Sequence, residues 1–101
     1  MLISKQTDGN VIQSLYDSSN VIASQYNVES KNLVIIFGKG GQYLYEGVNY
    51  SDYTKFELSE SQGKSINTYI KKYPTKQLGV IDTTQIKEDI KNILNEQFGR
   101  K

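Results

Sequence analysis

The sequence contains no cysteine, no histidine and no tryptophan, and it has a single proline, Pro74. Without cysteine, the chain cannot form disulfides, hold an iron–sulfur cluster or use a thiol nucleophile. Without histidine, it lacks the usual general base of hydrolytic triads, and with both residue types missing it lacks the usual ligands of a zinc site. We therefore expect no cofactor and no metal.

Long apolar runs are missing as well. The longest covers residues 33–37, far short of the ~18 residues that a membrane-spanning helix requires. The first ten residues also lack the apolar segment of a secretory signal. We expect no membrane partner and a cytoplasmic location.

The chain is short and nearly neutral, since 101 residues with 12 basic and 11 acidic side chains give a net charge of +1. This length predicts one globular domain overall. The balanced charge argues against binding a polyanion by bulk charge, although it leaves room for a local basic patch. Tyrosine dominates the aromatic residues, with eight copies, and all of them lie between Tyr16 and Tyr73.

The N-terminal half has the pattern of antiparallel strands joined by short turns. Residues 2–6 and 11–16 flank an Asp-Gly pair, a hairpin signal because glycine accepts the positive φ of tight turns. Residues 21–27 predict the next strand. Residues 33–37 are apolar throughout, and a glycine turn connects them to a return strand over residues 42–46. These segments predict a meander of three to five strands.

Two short helices are predicted after the strands. Asn49 or Ser51 can cap a first helix that begins near Asp52, because a short polar side chain accepts the free N–H groups of the first turn. A second helix follows and ends before Pro74, since the residue before proline disfavours helical geometry. Its apolar face has the spacing i, i+3, i+4 and i+7: Ile66, Tyr69, Ile70 and Tyr73.

A third helix is predicted over residues 83–99, after a linker over residues 74–82. Its apolar residues form one stripe: Ile86, Ile90, Ile93, Leu94 and Phe98. Each of these side chains would contribute ~1.5–3 kcal/mol if fully buried. The stripe must therefore be covered, either by the sheet of this domain or by a protein partner or a second copy of the chain. The predicted fold class is α+β: a small antiparallel β-meander packed against two short helices, with an amphipathic C-terminal helix.

Residues 18–73 form a block with a recognisable order of serine, tyrosine, glycine and apolar positions. The positions concerned are Ser18, Ser19, Asn20, Tyr26, Leu33, Phe37, Gly41, Tyr43, Tyr45, Val48, Ser61, Gly63, Ile66, Asn67, Ile70 and Tyr73. In order and spacing they resemble the KTSC domain, a small domain appended to some lysyl-tRNA synthetases and found alone in bacterial and phage proteins. Residues 1–17 then form an N-terminal hairpin extension. The resemblance implies a binding module, and the synthetase context implies nucleic acid.

Two tyrosines of the return strand are candidate ligand-binding residues. Tyr43 and Tyr45 share one face of the strand, because side chains alternate along it. They form either a platform on which bases stack, at ~1–3 kcal/mol per base, or a cover for the sheet with hydroxyls at its rim. The spacing supports both interpretations equally.

Basic and polar residues near the second helix are further candidates. Lys64, Lys71 and Lys72 lie in a stretch without acidic residues, and they either neutralise phosphates or form a solvated helix face. Ser61 can cap this helix, and Asn67 lies within it. The two residues suit either an anion site at the helix start or hydrogen bonds within the fold. Lys39 lies in the glycine turn, which either presents its amides to a phosphate or only reverses the chain.

These observations predict a small non-catalytic binding module for nucleic acid or a nucleotide-type ligand. We expect no enzymatic activity, because no acid–base or nucleophilic arrangement is recognisable in the sequence. The alternative is a protein-interaction module, such as a phage-encoded inhibitor of a host protein or an accessory subunit. Such a module would act through the stripe of the third helix, and a phage origin would place it in the cytoplasm of the bacterial host.

Overall fold

The computed structural model describes residues 1–98, apart from the side chain of Phe98. Six strands form one sheet in chain order: β1 (Leu2–Asp8), β2 (Val11–Tyr16), β3 (Val21–Asn27), β4 (Leu33–Phe37), β5 (Gly41–Tyr45) and β6 (Thr75–Val80). The helices are α1 (Tyr50–Glu57), α2 (Gln62–Ser65), a π-helical segment (Ile66–Ile70) that continues α2, and α3 (Thr84–Phe98). The Phe98 side chain, assigned to the apolar stripe, and the continuation of α3 to residue 99 therefore lie outside the described residues.

The predicted α+β class is confirmed, but the sheet has six strands where three to five were expected. The additional strand, β6, occupies most of residues 74–82, so the assignment of this segment to a linker is wrong. It pairs antiparallel with β5, with Thr75 opposite Tyr45 and Val80 opposite Gly41. The N-terminal hairpin also joins the same sheet, because β2 pairs with β3 along its length.

Side-chain caps set the starts of the short helices. The Asn49 side chain accepts a hydrogen bond from the backbone N–H of Asp52 at 2.7 Å, so α1 begins at Tyr50. Ser61 caps α2 in the same way, and its hydroxyl lies 3.4 Å from the backbone nitrogen of Lys64. The predicted caps thus define both helix starts, although the helical geometry ends at Ile70, three residues earlier than the apolar spacing suggested.

The main core lies between the sheet and the layer formed by α1, α2 and the π-helical segment. Tyr26 and Tyr53 stack there, with ring centroids 4.1 Å apart and an interplanar angle of 7°, and the Tyr26 hydroxyl donates to the Val48 carbonyl at 2.6 Å. Stacked rings and paired hydroxyls let tyrosine fill a small core without unsatisfied polar groups. The buried apolar residues of this core are Ile12, Tyr16, Val21, Tyr26, Leu33, Ile35, Tyr45, Val48, Tyr53, Phe56, Ile66 and Ile70.

Helix α3 packs on the opposite face of the sheet, where it contacts β1 and β3. Ile86 lines a recess together with Ala23 and Ile36, which point away from the main core. The four stripe residues with described side chains, Ile86, Ile90, Ile93 and Leu94, are all half-buried. The sheet of this domain therefore covers part of the stripe, which was one of the two expected solutions. None of the helices within residues 1–98 combines the length and apolar character needed to cross a bilayer.

The turn between β4 and β5 requires glycine at residue 40. Gly40 has a φ of +100°, and a Cβ atom there would lie 2.4 Å from the carbonyl oxygen of Ile81. We expect Gly40→Ala to lower the free energy of unfolding by about 3 kcal/mol, because backbone strain and a backbone clash act together. Gly9→Ala is the control, since Gly9 has a φ of +60° but nothing within 4 Å, and it should cost only about 1 kcal/mol. Urea unfolding measures both losses, and equal losses would contradict the close approach to Ile81.

Candidate functional site

Two turns meet at one end of the sheet, and their backbones are in direct contact. The backbone N–H of Gly38 donates to the Asn20 carbonyl at 2.7 Å. A Cβ atom on Gly38 would lie 3.2 Å from the Ser19 carbonyl oxygen, so the missing side chain allows the approach. The Ser18 hydroxyl accepts from the backbone nitrogen of Asn20 at 3.2 Å and of Val21 at 3.4 Å. The β2–β3 turn is therefore held rigidly against the β4–β5 turn.

The start of α2 packs against the same turns through Gly63. A Cβ atom on Gly63 would lie 2.7 Å from the side-chain amide nitrogen of Asn20, so the missing side chain leaves room for this amide in its present position. Ser61, which caps α2, precedes Gly63 by two residues. The structure thus brings together the Ser18–Asn20 turn and the Ser61–Gly63 helix start, two segments that lie more than forty residues apart in the sequence.

An open groove of about 350 Å³ lies beside these turns, on the side of the sheet that carries α1 and α2. Phe37 and Tyr43 form an aromatic wall, with ring centroids 5.5 Å apart and an interplanar angle of 89°. Gly41 lies beneath the Tyr43 ring, and a Cβ atom there would be 3.3 Å from Cε1 of that ring. We call this surface, formed by Phe37, Lys39, Gly41, Tyr43 and Tyr45, the aromatic groove.

A second recess of about 270 Å³ adjoins the aromatic groove and shares Phe37 and Lys39 with it. Its other lining residues are Ser19, Asn20 and Gly38, which supply a hydroxyl and an amide. We call it the turn recess. Within residues 1–98, neither the aromatic groove nor the turn recess is lined by an acidic side chain. Together they offer an aromatic wall next to one positive charge and several hydrogen-bonding groups.

The two tyrosines that the sequence groups together have different environments. Tyr43 is half-buried and lines the aromatic groove, whereas Tyr45 is only 7% exposed and belongs to the core. Burial raises the pKa of Tyr45 above its ordinary value, since the ionised phenol would lose its hydration. Only Tyr43 of this pair therefore offers a ring face for stacking.

The three lysines predicted as phosphate contacts also differ in their environments. The Lys72 amine lies 3.0 Å from the Asp52 carboxylate, and this hydrogen bond raises the pKa of Lys72. Tyr73 donates a hydrogen bond to the same carboxylate, which is the main cause of the lowered pKa of Asp52. The charge of Lys72 is thus already balanced by a neighbour. Lys64 and Lys71 are exposed.

Asn67 lies in the π-helical segment, one turn after Gly63, and its side chain is exposed. It is on the same side of the helix as Gly63, because residues four apart are neighbours on a helix surface. Asn67 does not line the aromatic groove or the turn recess, so the structure does not bring it together with Tyr43 and Lys39.

Sequence reasoning missed Phe37 as a site residue and gave Lys39 only a turn-based role. The signal for Phe37 was available in the strand pairing: Ile35 lies opposite Tyr43, so Phe37, two residues further along the same face, is a diagonal neighbour of Tyr43. Lys39 carries no such signal, because its position beside both the aromatic groove and the turn recess depends on how two turns that are distant in the sequence meet.

The family model of the KTSC domain matches residues 17–73. The crystal structure of a KTSC domain protein from Yersinia pestis is similar to this chain, with a TM-score of 0.63 and 26% sequence identity over 68% of this chain and 99% of that chain. No curated protein matches the chain. Helix α3 lies beyond the residues that the family model matches.

Proposed function

Since the chain belongs to the KTSC domain family, we propose that it is a non-catalytic module of the cytoplasm that binds single-stranded nucleic acid. The observation that carries the proposal is the aromatic groove, in which the partly exposed Tyr43 ring lies next to Lys39 and no acidic side chain of residues 1–98 lines the surface. A nucleotide combines the flat, apolar face of its base with a charged phosphate. An aromatic wall beside a cation matches this combination.

Stacking supplies the first part of the binding energy. A base stacked on an aromatic side chain is worth ~1–3 kcal/mol by alanine substitution, and such stacking tolerates any base. Phe37 packs against the Tyr43 ring in a T-shaped pair, and the missing side chain of Gly41 lets the ring lie close to the backbone. The ring is therefore oriented before a ligand arrives. A ring held in place loses little side-chain freedom on binding, which favours affinity.

Lys39 and the turn recess supply the second part. The ammonium group of Lys39 is the positive charge shared by both surfaces. Ser19 and Asn20 offer hydrogen-bond donors for phosphate or sugar oxygens on the turn side. Lysine attracts phosphate as a point charge, so this contact supports binding without reading the sequence.

Two features favour a single strand over a duplex and predict modest affinity. The groove is only about 350 Å³ and presents one wall, which suits one exposed base and not a stacked pair. Arg100 is the only arginine in the sequence, and bidentate arginine is the commonest base-specific contact. With a net charge of +1, we expect a dissociation constant on the order of 10⁻⁵ M at low salt and little preference for sequence.

Fluorescence anisotropy with labelled single-stranded RNA, single-stranded DNA and duplexes of the same sequence tests the proposal. We expect both single strands to bind, and Lys39→Glu and Tyr43→Leu each to weaken binding about tenfold. Lys91→Glu, on the exposed side of α3, and Tyr69→Leu, on a half-buried tyrosine outside the groove, are the matched controls. Failure of every strand to bind at low salt, or equal losses in variants and controls, would refute the proposal.

The geometry does not favour a partner surface on the stripe of α3. Ile86 and Ile90 line recesses against the sheet of the same chain, and Ile93 and Leu94 are half-buried. Helix α3 therefore presents only part of these side chains to a partner. The protein-interaction alternative therefore has less structural support than the binding of a single strand.

A further inference from the structure

Lys39 also faces a third recess, on the other side of the turns. This recess has a volume of about 370 Å³ and lies between the β2–β3 turn, the β4–β5 turn and α3. The residues relevant to binding are Ser18 and Ser19 from the first turn, Lys39 from the second, and Lys87 and Ile90 from α3. We call it the helix recess. Two lysines from separate elements thus border one space that also contains two hydroxyls.

The position of Lys87 relative to Lys39 is set by backbone hydrogen bonds. The backbone N–H of Ile81, just before α3, donates to the Gly40 carbonyl at 2.9 Å, which ties α3 to the turn that carries Lys39. Asp82 then accepts from the backbone nitrogen of Thr84 at 2.9 Å and stabilises the start of the helix. Lys87 follows within the first turn, where its backbone nitrogen donates to the Thr83 carbonyl at 2.9 Å.

The charge balance of the helix recess favours an anion. Asp17 is the acidic residue among its lining residues, against the two lysines Lys39 and Lys87. The Ser18 hydroxyl accepts two backbone hydrogen bonds, which leaves its own proton available for a ligand oxygen. Ser19 is exposed. A phosphate accepts hydrogen bonds from both hydroxyls and ammonium groups, so it is the chemical group that this set of donors fits.

We propose that the helix recess is a phosphate subsite in which Lys39 and Lys87 flank one phosphate of a bound strand. This inference rests on the proposed function. It extends the path of the bound nucleic-acid strand from the aromatic groove, past Lys39, to the other face of the sheet. One nucleotide then stacks on Tyr43, and the chain continues with a phosphate between the turns and α3. Helix α3, which lies outside residues 17–73 matched by the family, thereby adds a contact to the binding surface.

Salt dependence of binding tests the subsite, measured by fluorescence anisotropy on the full chain with a labelled single-stranded oligonucleotide. We expect Lys87→Glu to weaken binding about fivefold and to reduce the slope of log K against log salt by about 0.7, the value for one lost phosphate contact on a single strand. Lys91→Glu is the matched control, because it makes the same charge change one turn further along α3 and does not line the recess. Its slope should stay unchanged.

A nucleoside monophosphate separates the subsite from the groove. Its single phosphate lies at Lys39 and the turn recess when its base stacks on Tyr43, and it lacks the next phosphate, which the helix recess would hold. Lys87→Glu should therefore leave its affinity unchanged, while Lys39→Glu weakens it. If the oligonucleotide binds and Lys39→Glu weakens it, but Lys87→Glu matches Lys91→Glu in both affinity and slope, the helix recess is not a subsite and the proposed function stands. If neither ligand binds at low salt, the proposed function itself is refuted, and the subsite with it.

Discussion

Replacement of Glu57 by alanine is expected to lower the free energy of unfolding by about 4 kcal/mol. Glu57 is 1% exposed and accepts hydrogen bonds from the Ser14 hydroxyl at 3.0 Å, the Tyr53 hydroxyl at 2.5 Å and the Lys5 amine at 3.0 Å. Its removal leaves two buried hydroxyls without their acceptor, and each unsatisfied buried group costs about 1–3 kcal/mol. The vacated space adds a packing loss.

Two further variants separate the buried hydrogen bonds from the ion pair. Glu57→Gln keeps the volume and one acceptor oxygen, so it should lose about half as much stability as Glu57→Ala. Lys5→Ala removes the ion pair, but the Lys5 side chain is 40% exposed, and exposed pairs contribute less than about 1 kcal/mol. Urea unfolding gives all three values. A loss for Lys5→Ala that equals the loss for Glu57→Ala would show that the ion pair, and not the buried hydroxyls, stabilises the fold.

The strand order of the first five strands was predictable because each pairing is local in the sequence. Gly9 and the glycines around residue 40 mark turns between strands that alternate or are apolar throughout, so neighbours in sequence are neighbours in the sheet. β6 could not be predicted in this way. Its residues are mostly exposed, it contains Gly79 with a φ of +115°, and it follows Pro74. Only pairing with β5, across two intervening helices, makes this segment a strand.

The candidate site was predictable only in part, because strand alternation is a local pattern and the extent of the helical layer is not. Alternation along β5 correctly places Tyr43 and Tyr45 on one face, but it does not say where the helical layer above that face ends. Tyr45 lies opposite Leu33 under this layer, whereas Tyr43 lies beside Phe37 near the open end. Lys39 shows the same limit, since its role depends on contacts between turns that are distant in the sequence. The first five strands follow from local patterns, whereas β6 and the site depend on contacts between segments that are distant in the sequence.

Alkaline pH is expected to unfold the protein through two buried tyrosines. Tyr16 and Tyr53 are both fully buried. Burial is the main cause that raises the pKa of each phenol far above its ordinary value, and for Tyr53 the hydrogen bond to Glu57 adds to this increase. In the unfolded chain both phenols ionise with a pKa near ~10. The folded state therefore keeps two protons that the unfolded state releases at high pH.

Stability is thus fully present below about pH 10 and falls as the pH rises, by ~1.4 kcal/mol per pH unit for each tyrosine, until the pH reaches the folded pKa. Two such residues give a slope of about 2.8 kcal/mol per unit, so the loss reaches ~5 kcal/mol, the lower end of the stability of typical small domains, at about pH 12. The part of the tyrosinate absorbance that comes from the buried phenols should appear together with the loss of far-ultraviolet circular dichroism, and the lack of cysteine removes thiolate absorbance from the measurement. Tyr16→Phe should lower the slope by ~1.4 kcal/mol per pH unit, whereas Tyr50→Phe, at a side chain that is 54% exposed, should leave it unchanged. Gradual ionisation of Tyr16 without loss of circular dichroism would contradict the expected coupling between its burial and the stability of the fold.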